Sequence, residues 1–423
     1  MQGPISVIVA DPQGRIVSFN KGAEEIFGYS AEEVVGKARM SIFYDWPAVL
    51  QEVPHILKTA RERGRWEGKV VLKRRNGEKF VGKLVVTSMW RNGELTGYCG
   101  VTRELRGESV EGKEVRPTLA TQLMRWVVIL RAPFFTATLI PILLGAGLAW
   151  HAAGTFDWWL GALTLAGALA LHAGVNTAND YWDWRMGNDE KNYDYIAPFT
   201  GGSRAIQTGM ISPRALLLLS LALLTAGSAI GLYLAWLRGW QILALGALGV
   251  ASGYFYSAPP FRLAGRGVGE ALVGLNFGVL MTLGAYYVQA QVLAPEPLLA
   301  SLPVSFLVSA VLWANEIPDA RGDAASGKRT MVVRLGKAKA AVWFFALLLL
   351  AYASLLVGIA VAALPLFALA ALAGAFFAWK AACEVAAHTG AYYKLEGACA
   401  STLAAHFLTG LLIVAGVLAD KLI

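Results

Sequence analysis

The sequence predicts two bodies: an all-α polytopic membrane bundle of nine transmembrane helices, and ahead of it a soluble α+β domain. Three observations carry this reading. The 423 residues are 56% hydrophobic with a mean hydropathy of +0.50, too apolar for a soluble enzyme and suited to a multi-span protein. Charge is unevenly spread: residues 1–116 hold 19 Lys+Arg and 15 Asp+Glu, and the rest of the chain only 18 and 14. Nine apolar stretches at or near spanning length then follow, at 126–150, 157–178, 214–237, 240–257, 268–290, 298–316, 339–358, 361–381 and 401–420. The expected domains are 1–105, a charged linker at 106–119, and a membrane domain at 120–423.

The soluble part reads as short strands with explicit turn chemistry. Segments 6–10 and 15–19 flank Asp11-Pro12-Gln13-Gly14. Segments 66–74, 79–90 and 95–104 are joined through Asn76-Gly77 and Asn92-Gly93, strong hairpin signals because both residue types accept positive φ. Helical pieces lie between the two groups, near 22–27, 31–35 and 46–63. Ser30, with Glu33 three residues on, reads as a capping box. No long apolar core occupies the first 30 residues, so the N-terminus is expected in the cytoplasm. Cys99, Cys383 and Cys399 are too few and too scattered for a disulfide framework or a thiolate metal site.

On the stretches I-V-A-D-P-Q-G-R-I-V-S-F-N-K-G-A-E-E-I-F-G-Y-S, R-W-E-G-K-V-V-L-K-R-R-N-G-E and G-Y-C-G-V-T-R-E-L, residues 1–105 resemble the PAS sensor family. The resemblance implies a regulatory or docking module and a route to homodimerisation. Segment 37–43 lacks the Asn-Cys-Arg context that the flavin-photoreceptor version needs. His55 is the lone candidate haem ligand, and a lone helical His is more often an ordinary surface or core residue.

In the membrane part, placing the N-terminus inside puts Arg185, Lys191, Arg204, Arg214, Arg262, Arg266, Arg321, Lys328, Arg329, Arg334, Lys337, Lys339, Lys380 and Lys394 in inner connections, Arg238 in an outer one and Lys421 at the outer C-terminus, a positive-inside pattern. Acidic residues gather on the same inner side. Asp180, Asp183, Asp189, Glu190 and Asp194 follow the second span, and Glu316, Asp319 and Asp323 follow the sixth. Two such clusters at reduced dielectric repel unless cations lie between them. Asn176 and Asp180, Asn179 and Asp183, then Asn315, Asp319 and Asp323 each repeat a four-residue step, which places each set along one helix face. Asn and Asp oxygens suit Mg²⁺, which completes its shell with water and phosphate. Arg204, Lys328 and Arg329 are positioned in sequence to meet diphosphate oxygens. Aromatic residues interleave the clusters (Tyr181, Trp182, Trp184, Tyr193, Tyr195, Phe199, Tyr254, Tyr256, Trp313), and ring faces stabilise an allylic cation. Only a minority are expected in the site, because Trp and Tyr also populate the membrane interface. The plain alternative, solvated loops between spans, does not account for two clusters with one spacing.

The stretches N-T-A-N-D-Y-W-D-W-R-M-G-N-D, T-G-G-S-R and N-E-I-P-D-A-R-G-D-A-A-S-G-K-R-T resemble the UbiA-type intramembrane prenyltransferase superfamily over about 120–420. The last acid of the first motif is Asp189, where many members place it at the position of Gly187, and this resembles the branch that prenylates 1,4-dihydroxy-2-naphthoate in menaquinone synthesis. The resemblance implies nine helices around a cavity, with Asn179, Asp180, Asp183, Asp189, Asn315, Asp319 and Asp323 binding Mg²⁺, and with turnover depending on Asp183, Asp319 and Asp323. Asn176, Asn179, Arg204, Arg262, Lys328 and Arg329 would serve the polyprenyl diphosphate, and Arg131, expected inside the first span, the acceptor carboxylate. The partners implied are the two substrates and membrane lipid, with no nucleic acid. Competing readings are 4-hydroxybenzoate as acceptor, and a non-catalytic PAS-gated receptor or carrier, which has no need of paired acidic motifs. A phosphatidyl-alcohol transferase needs an Asp-Gly-x-x-Ala-Arg motif that neither cluster contains.

Overall fold

The computed structural model describes residues 3–154, 156–388 and 392–423; Thr155, within the outer connection expected at 151–156, lies outside them. They form two compact units, one of residues up to Ile129 with Arg204–Ser212, the other of Leu130–Ser203 and Pro213–Ile423.

The first unit is built on a five-stranded sheet. Strands β1 (Ile5–Ala10), β2 (Ile16–Phe19), β3 (Arg65–Lys73), β4 (Lys79–Arg91) and β5 (Glu94–Glu104) lie in the order β2-β1-β5-β4-β3, every neighbouring pair antiparallel. Asn92 and Gly93 both take positive φ, 52° and 79°, which matches the twist of the β4–β5 hairpin they close. Helices α1 (Lys21–Phe27), α2 (Ala31–Val34) and α3 (Trp46–Arg63) fill the β2–β3 connection. Asn20 caps α1 through Ala23 N–H, and the Ser30–Glu33 capping box forms as the sequence predicts. Phe19, Phe27, Phe43 and Phe80 pack ring against ring over the sheet. His55 is exposed on α3, away from that interior, so it is no internal haem ligand.

The charged segment after β5 is fixed to this unit. Glu108 pairs with Lys69 at 2.6 Å and Glu114 with Lys79 at 2.7 Å. Helix α4 (Leu119–Leu130) follows. Gln51 of α3 donates to Thr121 and to the Arg116 carbonyl, and the Arg125 guanidinium lies over the Trp46 ring at 5.1 Å.

The second unit is helical: α5 (Thr136–Ala153), α6 (Trp158–Arg185), α7 (Asn188–Lys191), α8 (Pro213–Arg238), α9 (Trp240–Ser257), α10 (Gly269–Ala290), α11 (Pro295–Ser326), α12 (Met331–Ala360), α13 (Leu366–His388) and α14 (Tyr392–Leu422). Among the described residues eight helices are long and apolar enough to cross a membrane, against nine expected. The remaining expected span is α9, a helix of 18 residues; Gln241, three glycines and a polar end from Ser252 to Ser257 dilute its apolar length. Large apolar side chains face outward across the helices, with Leu218 67% and Val342 67% exposed, as a lipid-facing surface requires.

The first expected span is a correction. Segment 126–150 is not one helix: α4 ends at Leu130, Arg131 takes φ 54°, and a 3₁₀ turn (Ala132–Phe135) leads into α5. Pro133 disfavours helical backbone at the residue before it and supplies no N–H, so the chain breaks there. Arg131 therefore sits at the mouth of the span rather than inside it. Farther along, α12 carries a break at Gly336, φ 74°, and α13 starts after Pro365, five residues later than the expected 361.

Candidate active site

The C-terminal end of α6 and that of α11 each project a row of polar side chains. From α6 come His172, Asn176, Asn179 and Asp183, spaced by four, three and four residues, and hence on one face. From α11 come Asn315, Glu316, Asp319 and Asp323. All of these line one cavity of about 210 Å³, together with Asp189, Arg131 and Lys328. Of the seven residues expected to bind metal, six are thus brought together.

The seventh, Asp180, is turned away. Its carboxylate is buried and accepts the Ser203 backbone N–H at 3.2 and 3.3 Å. Gly202 makes the approach feasible: its φ is 73°, and a Cβ there would lie 2.8 Å from Asp180 Oδ1. Asp319 is a second anchor for the same loop. It accepts from Asn192 Nδ2 at 2.8 Å, Thr200 Oγ1 at 2.7 Å and Gly201 N at 3.0 Å, bonds to a charged acceptor worth about 1.5–3 kcal/mol each. Gly322, one turn along α11, lets the loop come close, since a Cβ there would meet Asn192 Cα at 2.6 Å. Both acids expected to bind metal through their spacing therefore also hold the 192–203 loop across the two helix ends.

Asp183 stands at the centre of the charge distribution. It accepts from Asn188 Nδ2 at 2.8 Å and pairs with Lys328 Nζ at 2.8 Å. Burial alone would push the Lys328 ammonium down, but Asp183 and Asp323 outweigh it and hold the group above the ordinary lysine range. The cavity wall still carries five carboxylates, Asp183, Asp189, Glu316, Asp319 and Asp323, against two cations, Arg131 and Lys328. Among the described residues Glu316 Oε2 is buried with no hydrogen-bond partner. Hard oxygen donors in excess of positive charge fit a divalent ion such as Mg²⁺. Among the described residues no three acids, His or Cys converge tightly enough to chelate an ion alone, so such an ion would share its shell with phosphate and water, as Mg²⁺ usually does.

The cations are placed unequally. Arg329 and Arg262 do not line the cavity; the Arg329 N–H donates to the Gly265 carbonyl at 3.0 Å, and Arg262 takes φ 48° at a turn. Arg204 belongs to the first unit. Arg131 Nε is buried without a partner among the described residues, and its guanidinium lies 5.1 Å from the Phe134 ring centre. Asn176 Nδ2 donates to the Leu130 carbonyl at 3.3 Å, supporting the break that presents Arg131. Asn179 donates to Ser257.

Of the aromatics singled out in sequence, Tyr256 and Phe199 line the cavity, while Trp313 is core, donating to the Ala340 carbonyl at 2.9 Å. Sequence reasoning missed His172, Asn276, Phe277, Phe134 and His406, which also line it. His172 had a signal, lying one turn before Asn176. Asn276 and Phe277 had none: they sit where α10 widens into a π-helical turn (Leu275–Leu280), a local feature often found at functional sites. A second, apolar cavity of about 360 Å³ between α6, α8, α9 and α10 shares His172, Val175, Gly253, Asn276 and Phe277 with the first.

Fold and site together define a polytopic membrane protein whose helix ends enclose an acidic cavity backed by an apolar one. A profile of the UbiA prenyltransferase family matches residues 138–391, and one of the PAS domain residues 4–106. The chain belongs to the UbiA prenyltransferase family and carries an N-terminal PAS domain. It is similar to the 1,4-dihydroxy-2-naphthoate octaprenyltransferase of Mycobacterium tuberculosis, 34% identical over 54% of this chain and 75% of that protein. It is also similar to the 2-carboxy-1,4-naphthoquinone phytyltransferase of Synechocystis, 28% identical over 53% of this chain and 71% of that protein. Among solved structures, a UbiA homologue from Aeropyrum pernix K1 matches with a TM-score of 0.50, 19% identity, and coverage of 67% of this chain and 97% of that one.

Proposed function

We propose that this prenyltransferase moves a polyprenyl group from polyprenyl diphosphate to 1,4-dihydroxy-2-naphthoate. The observation that carries the reading is the single cavity formed by the two acidic helix ends, with Lys328 among the acids, Arg131 on the same wall, and an apolar cavity behind. The names of the relatives favour the naphthoate acceptor over 4-hydroxybenzoate. In the reaction the allylic C–O bond to diphosphate breaks and the acceptor ring carbon forms the new C–C bond. The carboxylate on that carbon then leaves as CO₂, and its bonding electrons restore the aromatic ring.

Asp183, Asp189, Asp319 and Asp323, with Asn179 and Asn315, would hold Mg²⁺. The ion, when bound, supplies charge neutralisation for the departing diphosphate. Lys328 provides a fixed ammonium at the same end, and Asp183 and Asp323 keep it protonated. Tyr256 and Phe277 present ring faces to the reacting carbon. The apolar cavity takes the isoprenoid tail and excludes water from the cation. Arg131 holds the acceptor carboxylate. By charge asymmetry the acidic end faces the cytoplasm, and the PAS domain at 1–105, joined by 106–119 to the membrane domain at 120–423, regulates turnover on that side.

The test is prenyl transfer in membranes containing the protein, with polyprenyl diphosphate, Mg²⁺ and either acceptor. Product is expected with the naphthoate, and Asp183→Ala or Asp323→Ala should lower kcat/KM by about 100-fold or more, the usual scale for losing transition-state electrostatics. Chelation should abolish transfer and Mg²⁺ restore it. Transfer to 4-hydroxybenzoate alone, or full turnover without either acid, would overturn the reading.

A further inference from the structure

His172 and Asn276 are the polar side chains shared by the two cavities, and nothing in the proposed reaction has yet used His172. The side chain is 4% exposed and lines both spaces. Its Nδ1 is held by Thr138 Oγ1 at 2.7 Å. Its ring is flanked by Phe135, at 5.3 Å between centroids, and Phe277, at 4.5 Å. Orientation is therefore set from three sides. Nε2 has no hydrogen-bond partner among the described residues, yet it is not sealed off as a fully buried orphan.

Arg131 is close by. It lies four residues before Phe135, the residue that packs on the His172 ring, and lines the same cavity as His172. Its Nε is buried and unpartnered among the described residues. Two polar groups thus line one cavity: a guanidinium suited to a carboxylate, and an imidazole suited to a hydroxyl, as donor or acceptor.

We propose that His172 is a specificity-determining residue that hydrogen-bonds the acceptor's ring hydroxyl ortho to the carboxylate held by Arg131. This rests on the aromatic-acceptor reading above and sharpens it to a substrate geometry. A ring with carboxylate and hydroxyl on adjacent carbons presents both groups to neighbouring donors at once. In 4-hydroxybenzoate the two lie at opposite ends of the ring, and only one can be met. A buried site built to bond a hydroxyl rejects an analogue lacking it more strongly than an apolar pocket rejects a size change, because the protein group is left unpaired.

The experiment uses the full-length protein in nanodiscs with Mg²⁺ and measures equilibrium Kd for 1-hydroxy-2-naphthoate and for 2-naphthoate. The wild type is expected to prefer the hydroxylated ligand by about tenfold, a typical effect of one buried hydrogen bond. His172→Phe should bring the ratio close to one by weakening only the hydroxylated ligand. Arg131→Ala should weaken both and keep the ratio. If His172→Phe does not accumulate, His172→Leu is decisive: the ratio should fall at least threefold. An unchanged ratio in the His172 variants, or no preference in the wild type, overturns the proposal and leaves His172 a packing partner of Phe277. Failure of the wild type to prenylate any aromatic acid would instead overturn the proposed function, and that is read separately from the binding ratio.

Discussion

At the scale of single residues, chemically similar side chains have diverged in task according to where they point. Asp180 and Asp183 are three apart on α6, yet Asp183 faces the cavity and Lys328, and Asp180 faces the Ser203 amide. Gly322 shows how tightly the arrangement is built, because its missing side chain is what admits Asn192 to Asp319. Gly322→Val should force the loop off α11. Overpacking of this kind costs about 1–3 kcal/mol, and the displaced Asn192, Thr200 and Gly201 donors leave Asp319 misaligned. The expected outcome is a loss of at least about tenfold in kcat/KM for the prenyl diphosphate. Steady-state kinetics of the variant check this, and wild-type kinetics would show that the close approach has no bearing on turnover.

At the scale of elements, α4 ties the two parts of the chain in sequence. It is held to α3 through Gln51–Thr121 and Arg125–Trp46. It also presents Leu119, Leu123, Met124, Trp126 and Val127 as exposed apolar side chains. A cation–π contact contributes about 0.5–1 kcal/mol at an exposed site, and a hydrogen bond about 1 kcal/mol. Gln51→Ala with Arg125→Ala should therefore raise amide hydrogen exchange in 119–130 about tenfold, with the strands β1 to β5 unchanged. Equal exchange in the double variant would mean that other contacts hold α4.

At the scale of the whole molecule, the chain itself passes between the two units along two covalent routes. One runs from α4 directly into Arg131. The other is Arg204–Ser212, which belongs to the first unit and is contiguous with the 192–203 loop that anchors on Asp180 and Asp319. If these routes transmit a signal, deleting residues 1–105 should change the prenyl-transfer rate by about threefold or more, or abolish a response to redox state or added small ligands; this size corresponds to a coupling somewhat under 1 kcal/mol, at the low end of allosteric effects. Assays of the truncated and full chains in the same membranes check it. Identical rates across all conditions would make the PAS domain a passive tether.

The sequence by itself determined the two-part organisation, because hydropathy and charge are local and additive along the chain. It determined the hairpin at Asn92-Gly93, whose residue types are chosen by backbone φ, and it brought out the two Asn/Asp rows, whose helical step is visible as spacing. It also determined the family, through motifs that are contiguous in the chain. Only the tertiary structure decided which of those acids face the cavity, because Asp180 and Asp183, three residues apart, lie on neighbouring faces of α6 and the partner surface selects between them. Only the tertiary structure separated Lys328 from Arg329 and Arg262, since adjacent side chains on a turn diverge. The break that turns Arg131 toward the cavity was half legible, in Pro133; the neck formed by His172, Asn276 and Phe277 was not, because it is assembled from α6 and a π turn of α10 that are about a hundred residues apart in sequence and whose juxtaposition depends on packing rather than pattern.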